Sequence, residues 1–234
     1  MSLKARGIFV TGTDTGIGKT LVSVGLMRLL RTTGLKVAGM KPVATGASGL
    51  NGHLVNEDAL LLQANASIPL DYSQVNPFVF ELPVSPHLAA KKAGRDIDLQ
   101  CIRQVYDELN EVADCVVVEG VGGWEVLLNE RERVADLVRM LDLPVLLVVG
   151  LRLGCLNHAL LTGHAITHAG VRCIGWVANQ VDRDYPLLAE NIETLEKAFD
   201  WPLLTVVPFY DDPAKHWDIF PTERKDNVLR VLCS

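Results

Sequence analysis

A glycine-rich stretch near the start of the sequence ends in Gly18-Lys19-Thr20, an ending typical of loops that bind nucleotide phosphates. Glycines let the backbone curl so that several N–H groups converge, and the helix-like segment at 21–30 adds its positive end to the same point. Lys19 supplies a mobile cation, and the Thr20 hydroxyl is suited to bind a magnesium ion. A glycine-rich turn without a ligand is disfavoured, because a strand-like run precedes the loop and a helix follows it.

The loop is a variant of the commonest form of this motif. Threonine stands at position 13, where most such loops have glycine, and the glycine falls one residue earlier, at Gly12. The apolar run at 8–10 comes directly before it, as a strand must in this motif. The residues predicted to bind the nucleotide are Thr13, Asp14, Thr15, Gly16, Ile17, Gly18, Lys19 and Thr20.

Three charged side chains elsewhere are candidates for the same site. Lys41 ends the second apolar run, and its ammonium is able to neutralise a reacting oxyanion, although a solvated lysine explains this position equally well. Glu119 follows three valines and precedes the glycine-rich segment 120–123. We predict that it is a magnesium ligand, because Mg²⁺ prefers oxygen. Asp58 is a second candidate carboxylate, and a role as the start of a helix stays equally open.

Two further loops carry weaker signals. Residues 153–158, Leu-Gly-Cys-Leu-Asn-His, offer free backbone N–H groups to an anion, but a plain strand-to-helix connection capped by Asn157 also explains them. Ser85-Pro86 fits the start of a helix, and substrate contact there stays open. The spacing of His158, His164 and His168 argues against a zinc site.

These residues are positioned by short apolar runs that alternate with helical stretches, which predicts parallel strands joined by crossover helices. The runs at 115–118 and 145–149 lack any polar alternation, so we place them at the centre of the sheet, covered on both faces. The predicted strands are 7–10, 36–40, 115–118, 145–149, 173–178 and 204–207. The predicted helices are 21–30, 99–109, 133–141, 157–169, which stops at Gly170, and 187–199, with one more near 58–64.

Composition excludes several classes of protein. Of 234 residues, 49% are apolar and 21% charged, which is typical of a globular chain rather than a disordered one. The net charge of −6 argues against nucleic-acid binding and against attachment to anionic lipid. We expect a single domain over 1–234, with an α/β fold whose mostly parallel sheet has helices on both faces.

The location of the protein is predicted from its first residues and its cysteines. No secretory run precedes the first strand and no apolar run is long enough to span a bilayer, so we expect a cytoplasmic protein. The cysteines are odd in number and widely spaced, which indicates reduced thiols. Cys115 and Cys173 lie in apolar runs and are expected to pack in the core. The others are Cys101, Cys155 and Cys233.

Taken together, the segments 11–20, 41–43, 118–123, 153–158 and 176–179 resemble dethiobiotin synthases, ATP-dependent enzymes that close the ureido ring in biotin synthesis. The resemblance runs from about residue 7 to Pro208. The phosphate loop is shared with many ATPases, whereas Lys-Pro-Val and Leu-Gly-Cys-Leu-Asn-His are far more particular. The resemblance implies a P-loop NTPase-like fold, a homodimer, and the use of ATP, Mg²⁺, 7,8-diaminononanoate and CO₂ or bicarbonate.

The resemblance also implies a role for individual residues. Lys19 holds phosphates, Lys41 and Thr45 position a substrate carbamate, and Thr15 joins the two lysines as a catalytic residue. Other roles are implied for three groups of residues: Thr20, Asp58 and Glu119 as magnesium ligands, Asn179 and Pro208 in the adenine pocket, and Gly154, Cys155 and Asn157 at the substrate carboxylate of the neighbouring subunit.

Two other classes share parts of this pattern. A partition or cell-division-site ATPase has the same phosphate loop, but it usually carries a signature lysine where Asp14 stands, together with a basic or amphipathic contact segment. A ligase domain acting on cobyrinate-type carboxylates usually carries a glutaminase segment, for which the chain has no room. The signature lysine, the contact segment and the glutaminase segment are all missing from this sequence.

Overall fold

The computed structural model describes residues 7–50, 52–221 and 228–231. Two predictions fall outside these residues, namely the lack of a leader in residues 1–6 and the reduced state of Cys233. The strands, in chain order, are β1 (Gly7–Gly12), β2 (Val37–Met40), β3 (Val43–Thr45), β4 (Ser48–Leu50), β5 (His53–Val55), β6 (Phe78–Phe80), β7 (Cys115–Glu119), β8 (Val145–Leu151), β9 (Cys173–Gln180) and β10 (Leu203–Val207).

The main sheet contains six parallel strands in the order β10-β9-β8-β1-β7-β2. These are the six strands predicted from the sequence, and each predicted bound lies within two residues of the observed one. The two uninterrupted apolar runs, β7 and β8, flank β1 on either side, and every one of their residues is buried. The α/β fold with a parallel sheet is therefore confirmed.

The helices cover both faces of this sheet. They are α1 (Lys19–Arg31), α2 (Glu57–Asn65), α3 (Tyr72–Val75), α4 (Pro86–Lys92), α5 (Leu99–Val112), α6 (Val134–Leu141), α7 (Cys155–His168) and α8 (Leu188–Ala198). The predicted helices all form, with bounds within three residues of those expected. Gly170 follows the end of α7 with a φ of 68°, a conformation that glycine adopts without strain.

Two apolar clusters form the core, one on each face of the sheet. Successive residues of β1 point to opposite faces, so Phe9 belongs to the first cluster while Ile8 and Val10 belong to the second. The first cluster lies under α5, α6 and α7, and the second lies under α1. Cys115 is fully buried in the second, as predicted. Cys173 is half-buried against the first, and burial raises the pKa of its thiol to about 12.

The stretch between residues 45 and 86 contains more structure than its glycines and prolines predicted. It includes two small sheets, β3 with β6 in parallel and β4 with β5 antiparallel, together with α3, whereas α4 begins at Pro86, where Ser85-Pro86 indicated the start of a helix. Each of these strands is three residues long, which is too short for a period of two to be read in the sequence. The parallel β3–β6 pair holds this stretch beside the carboxyl edge of the main sheet, next to Lys41.

No helix in the described ranges has both the length and the apolar character needed to cross a membrane.

Candidate active site

The phosphate loop connects β1 to α1 at the carboxyl edge of the sheet. Its first residue after the strand is anchored, because Thr13 donates its backbone N–H to the Val148 carbonyl on β8 at 3.1 Å. Gly18 has a φ of 88° and caps α1 in the left-handed region, which a residue with a side chain adopts only with strain. The loop therefore presents the N-terminus of α1 toward the space above the sheet, as the motif predicted.

Lys19 is folded back over the loop. Its Nζ donates a hydrogen bond of 2.7 Å to the Asp14 carbonyl, and the residue is only 7% exposed. Burial lowers the pKa of Lys19 to about 8, aided by repulsion from Lys41 and opposed by Glu119. A phosphate group bound here would stabilise the charged form of this lysine, which burial alone disfavours.

Lys41 joins the two candidate metal-binding carboxylates. Its Nζ lies 2.5 Å from Glu119 Oε1 and 2.8 Å from Asp58 Oδ2, and both Lys41 and Glu119 are buried. Burial alone would lower the pKa of Lys41, but the carboxylates of Glu119 and Asp58 outweigh it and raise that pKa above its usual value. Burial alone would raise the pKa of Asp58, but the Lys41 ammonium outweighs burial and holds that pKa below its usual value. Lys41 and Asp58 are therefore both charged at neutral pH.

The three predicted magnesium ligands lie together. Thr20 Oγ1 donates a hydrogen bond of 2.9 Å to Glu119 Oε1, and Thr20 also helps to lower the pKa of Asp58. The second carboxylate oxygen of Glu119, Oε2, is buried and has no hydrogen-bond partner. A buried, unpartnered carboxylate oxygen is costly unless a cation or donor meets it, and hydroxyl and carboxylate oxygens are the ligands Mg²⁺ prefers. The residues present therefore fit a magnesium ion.

Asp58 stands at the start of a helix and also faces the candidate site. Helix α2 is capped by Asn56, whose side-chain oxygen accepts a hydrogen bond from the Ala59 N–H. Asp58 is the second residue of that helix, and its carboxylate is turned toward Lys41 instead. Its side chain therefore does not cap the helix but contacts Lys41, and its role as a magnesium ligand stays a prediction.

These groups line one cavity of about 490 Å³. Its walls include nine of the predicted residues, namely Thr15, Gly16, Gly18, Lys19, Thr20, Lys41, Thr45, Asp58 and Glu119. Ser85 and Pro86 at the start of α4 also line it, so the substrate contact that the sequence left open is sterically available. A larger groove of about 890 Å³ lies at the amino edge of the sheet, beside Pro144 and Arg172, and no predicted residue lines it.

Comparison with known proteins identifies the family. A family described as "AAA domain" matches residues 6–216. An ATP-dependent dethiobiotin synthetase from Nitrosospira multiformis is 48% identical over 204 residues, covering 87% of the chain and 88% of the relative. Another, from Cellvibrio japonicus, is 46% identical over 224 residues, covering 94% of the chain and 98% of the relative. The chain belongs to the ATP-dependent dethiobiotin synthetase family.

The fold is shared more widely than the family. The MinC:MinD cell division protein complex from Aquifex aeolicus aligns with a TM-score of 0.57 over 92% of this chain and 86% of that chain, at 20% sequence identity. A likeness at that identity shows the P-loop NTPase fold alone. Membership of the dethiobiotin synthetase family, rather than the fold, is what separates this chain from the cell-division ATPases considered above.

The residues expected to contact adenine in dethiobiotin synthetases lie side by side. Asn179 is on β9, opposite Val207 of β10, and Pro208 follows directly after that strand. Asn179 is 5% exposed, whereas Pro208 is exposed. Their adjacency is compatible with a shared base pocket, which stays a prediction.

The loop expected to bind the substrate carboxylate lies apart from the cavity. Gly154 caps α7, and both it and Asn157 are exposed, while Cys155 is buried with its Sγ 3.4 Å from the Tyr185 hydroxyl. None of these three predicted residues lines the cavity that holds Lys41. Their role at the substrate carboxylate also stays a prediction.

Three positioning residues were missed in the sequence. Arg152, directly after β8, pairs with the Asp14 carboxylate of the phosphate loop at 2.5 Å. The buried Asn76 donates to the Lys41 carbonyl at 2.7 Å and accepts from the Tyr72 hydroxyl at 2.8 Å. Only the position of Arg152, next to a strand end, offered a signal. Asn76 and Tyr72 lie in a loop and a helix of four residues, whose partners no local pattern reveals.

Proposed function

We propose that this protein catalyses the ATP-dependent carboxylation and ring closure of 7,8-diaminononanoate with CO₂ to give dethiobiotin, ADP and phosphate. Membership of the dethiobiotin synthetase family makes it an ATP-dependent ligase of biotin biosynthesis. The observation that carries the proposal at the site is Lys41, a buried ammonium held between Glu119 and Asp58 in the same cavity as Lys19.

The reaction has three bond-forming steps. The N7 amine of the substrate attacks CO₂ and loses a proton, which gives a carbamate. A carbamate oxygen attacks the γ-phosphorus of ATP and ADP leaves, which gives a carbamic-phosphoric anhydride. The second amine attacks the carbonyl carbon, the bond to the phosphate oxygen breaks, and phosphate is released as the ring closes. These steps need alignment and charge neutralisation more than a covalent enzyme intermediate.

The residues divide this work by position. Lys19 and the loop N–H groups hold the phosphates, while Lys41 and Thr45 orient the carbamate toward them. Lys41 is suited to this because its ammonium stays charged despite burial, so it offsets the negative charge shared by carbamate and γ-phosphate. Thr15, which lines the same cavity as Thr45, completes the proposed catalytic group, and Asn179 and Pro208 receive the adenine.

Thr20, Asp58 and Glu119 would hold Mg²⁺. Their support is the convergence of three hard oxygen donors and the unpartnered Oε2 of Glu119. When bound, Mg²⁺ supplies charge neutralisation to the nucleotide phosphates.

The remaining parts of the proposal concern assembly and location. A homodimer is proposed in which Gly154, Cys155 and Asn157 of one subunit bind the substrate carboxylate in the site of the other. Gly154 and Asn157 are exposed and do not line the cavity that contains Lys41 in their own chain, which supports this arrangement. A cytoplasmic location, a single domain over 1–234, and partners limited to small molecules and a second copy of the chain complete it.

The test is phosphate release from ATP with the purified protein. We expect release only when both the diamine and bicarbonate are present, because only their carbamate offers a nucleophile aligned with the γ-phosphate. Omission of either component serves as the control. A rate unaltered by leaving out the diamine would reject the assignment and favour an ATPase that acts as a switch.

A further inference from the structure

The apex of the phosphate loop is fixed by one apolar side chain. Ile17 is 1% exposed and lies over two glycines of neighbouring strands, Gly12 on β1 and Gly150 on β8. A Cβ on Gly12 would lie 2.5 Å from Ile17 Cδ1, and a Cβ on Gly150 would lie 2.5 Å from Ile17 Cγ2. Both distances are far below van der Waals contact, so a side chain at Gly150 would collide with the branched Cβ of Ile17, and one at Gly12 would force its terminal Cδ1 to move. The loop is thus seated directly on the sheet.

The backbone of the same residue is held from the other side. Asn179, at the carboxyl end of β9 and 5% exposed, donates from Nδ2 to the Ile17 carbonyl at 2.8 Å. A carbonyl only accepts, so the amide nitrogen rather than Oδ1 must face it. Asn179 also packs closely against Gly18, the next residue of the loop, since a Cβ on Gly18 would lie 2.2 Å from Asn179 Nδ2.

This hydrogen bond determines where the next N–H group points. In a planar trans peptide the C=O and the following N–H point in opposite directions. With the Ile17 carbonyl directed at Asn179, the Gly18 N–H is directed away from it. Gly18 lines the cavity that contains Lys19 and Lys41. The bond therefore orients a donor that a phosphate group can use.

We propose that Asn179 is a positioning residue of the phosphate loop, which holds the peptide between Ile17 and Gly18 in the orientation that binds phosphate. This inference rests on the proposed function and extends the role of Asn179 beyond adenine contact. Nδ2 serves the loop while Oδ1 remains available to the base, so one buried side chain connects the two ends of the nucleotide site. Its loss weakens phosphate binding even when no base is present.

The probe that separates the two roles is tripolyphosphate, which carries the phosphates of ATP without a base. Binding of magnesium tripolyphosphate and of magnesium ATP is measured by calorimetry for the wild type, Asn179→Ala and the volume-matched Asn179→Leu. We expect tripolyphosphate to bind on the order of tenfold more weakly to both variants, the scale of a buried carbonyl left unsatisfied. ATP affinity should fall by at least that factor.

The matched control is Asn191→Ala on α8, outside the site. This substitution removes a hydrogen bond of the same type, which Asn191 Nδ2 donates to the Leu187 carbonyl at 2.7 Å. It should leave both affinities unchanged. Melting temperatures show which Asn179 variants are folded, and Asn179→Leu replaces Asn179→Ala if the smaller side chain unfolds the protein.

A folded variant that binds tripolyphosphate as the wild type does, while losing ATP affinity, overturns the inference and leaves the proposed function intact. A wild-type protein that binds neither compound overturns both.

Discussion

Replacing Lys41 by methionine tests the centre of the proposed site. Methionine keeps much of the length of the side chain and removes its charge, so the substitution leaves the buried Glu119 and the half-buried Asp58 without their ammonium. Three quantities are measured on the same sample: the free energy of unfolding, the affinity for ATP, and kcat for phosphate release with diamine and bicarbonate.

The magnitudes follow from the contacts. Removing one partner of a buried ion pair costs about 3–5 kcal/mol, and the lower end applies because Glu119 Oε1 keeps its hydrogen bond from Thr20. A loss of about 3 kcal/mol lowers Tm by about 6–12 °C in a chain of this size. Because Lys41 is assigned to the carbamate rather than to the nucleotide, ATP affinity should change little. The chemical step should slow by about a hundredfold or more, the scale of a lost oxyanion contact.

Lys197→Met is the matched control for Lys41→Met. Lys197 pairs with Glu193 at the same distance, 2.5 Å, but both side chains are largely exposed on α8. Its removal should alter neither stability nor rate measurably, because exposed ion pairs contribute little. Glu119→Gln, in contrast, should weaken the use of magnesium ATP. If Lys41→Met abolished ATP binding while Glu119→Gln preserved it, the roles given to these two residues would have to be exchanged.

Two further predictions concern the dimer and the cysteines. Mixing a Lys19→Ala variant with an Asn157→Trp variant, each nearly inactive, should restore about a quarter of normal activity, because about half of the dimers are hybrid and half of their sites are intact. Alkylation with iodoacetamide at pH 8 should label the exposed Cys101 and spare Cys173. The pKa of Cys173 is raised to about 12 by burial, so at pH 8 it stays a neutral thiol, which is the unreactive form.

Each of these two experiments has its own control and contrary outcome. Native mass spectrometry must first confirm that subunits exchange, and a mixture that then stays as inactive as its parents shows that each site is built within one chain. For the cysteines, unfolding in denaturant should make Cys173 as reactive as Cys101. Equal labelling of the two in the folded protein would contradict the raised pKa of the half-buried Cys173 thiol.

Most of the fold was predictable because its signals are local. The main strands are short apolar runs and the main helices follow them, so composition and period alone located both to within three residues. The strands β3 and β6 were missed, because three residues are too few to show a period, and because what stabilises them is each other across a separation in sequence.

The phosphate loop was predictable for a related reason. Its glycines, Lys19 and Thr20 are consecutive, and the conformation of Gly18 and the start of α1 are consequences of neighbouring residues. Of the candidate carboxylates, Glu119 was located as a charged residue that follows an apolar run, and Asp58 had no such signal. Sequence reasoning left Asp58 between two roles; the structure places it in the first turn of α2 and in contact with Lys41, and its metal-binding role stays a prediction.

By itself, then, the sequence determined the elements, the loop and the kind of ligand the loop accepts, since these depend on residues close together along the chain. Only the tertiary structure decided which distant groups meet. Lys41 and Glu119 are 78 positions apart, and Ile17 and Asn179 are 162 apart. Such pairs come together because the order β9-β8-β1-β7-β2 brings the ends of these strands to one edge. The strand order depends on how the two faces of the sheet bury their apolar surface against the helices. This is a property of the assembled sheet rather than of any one segment.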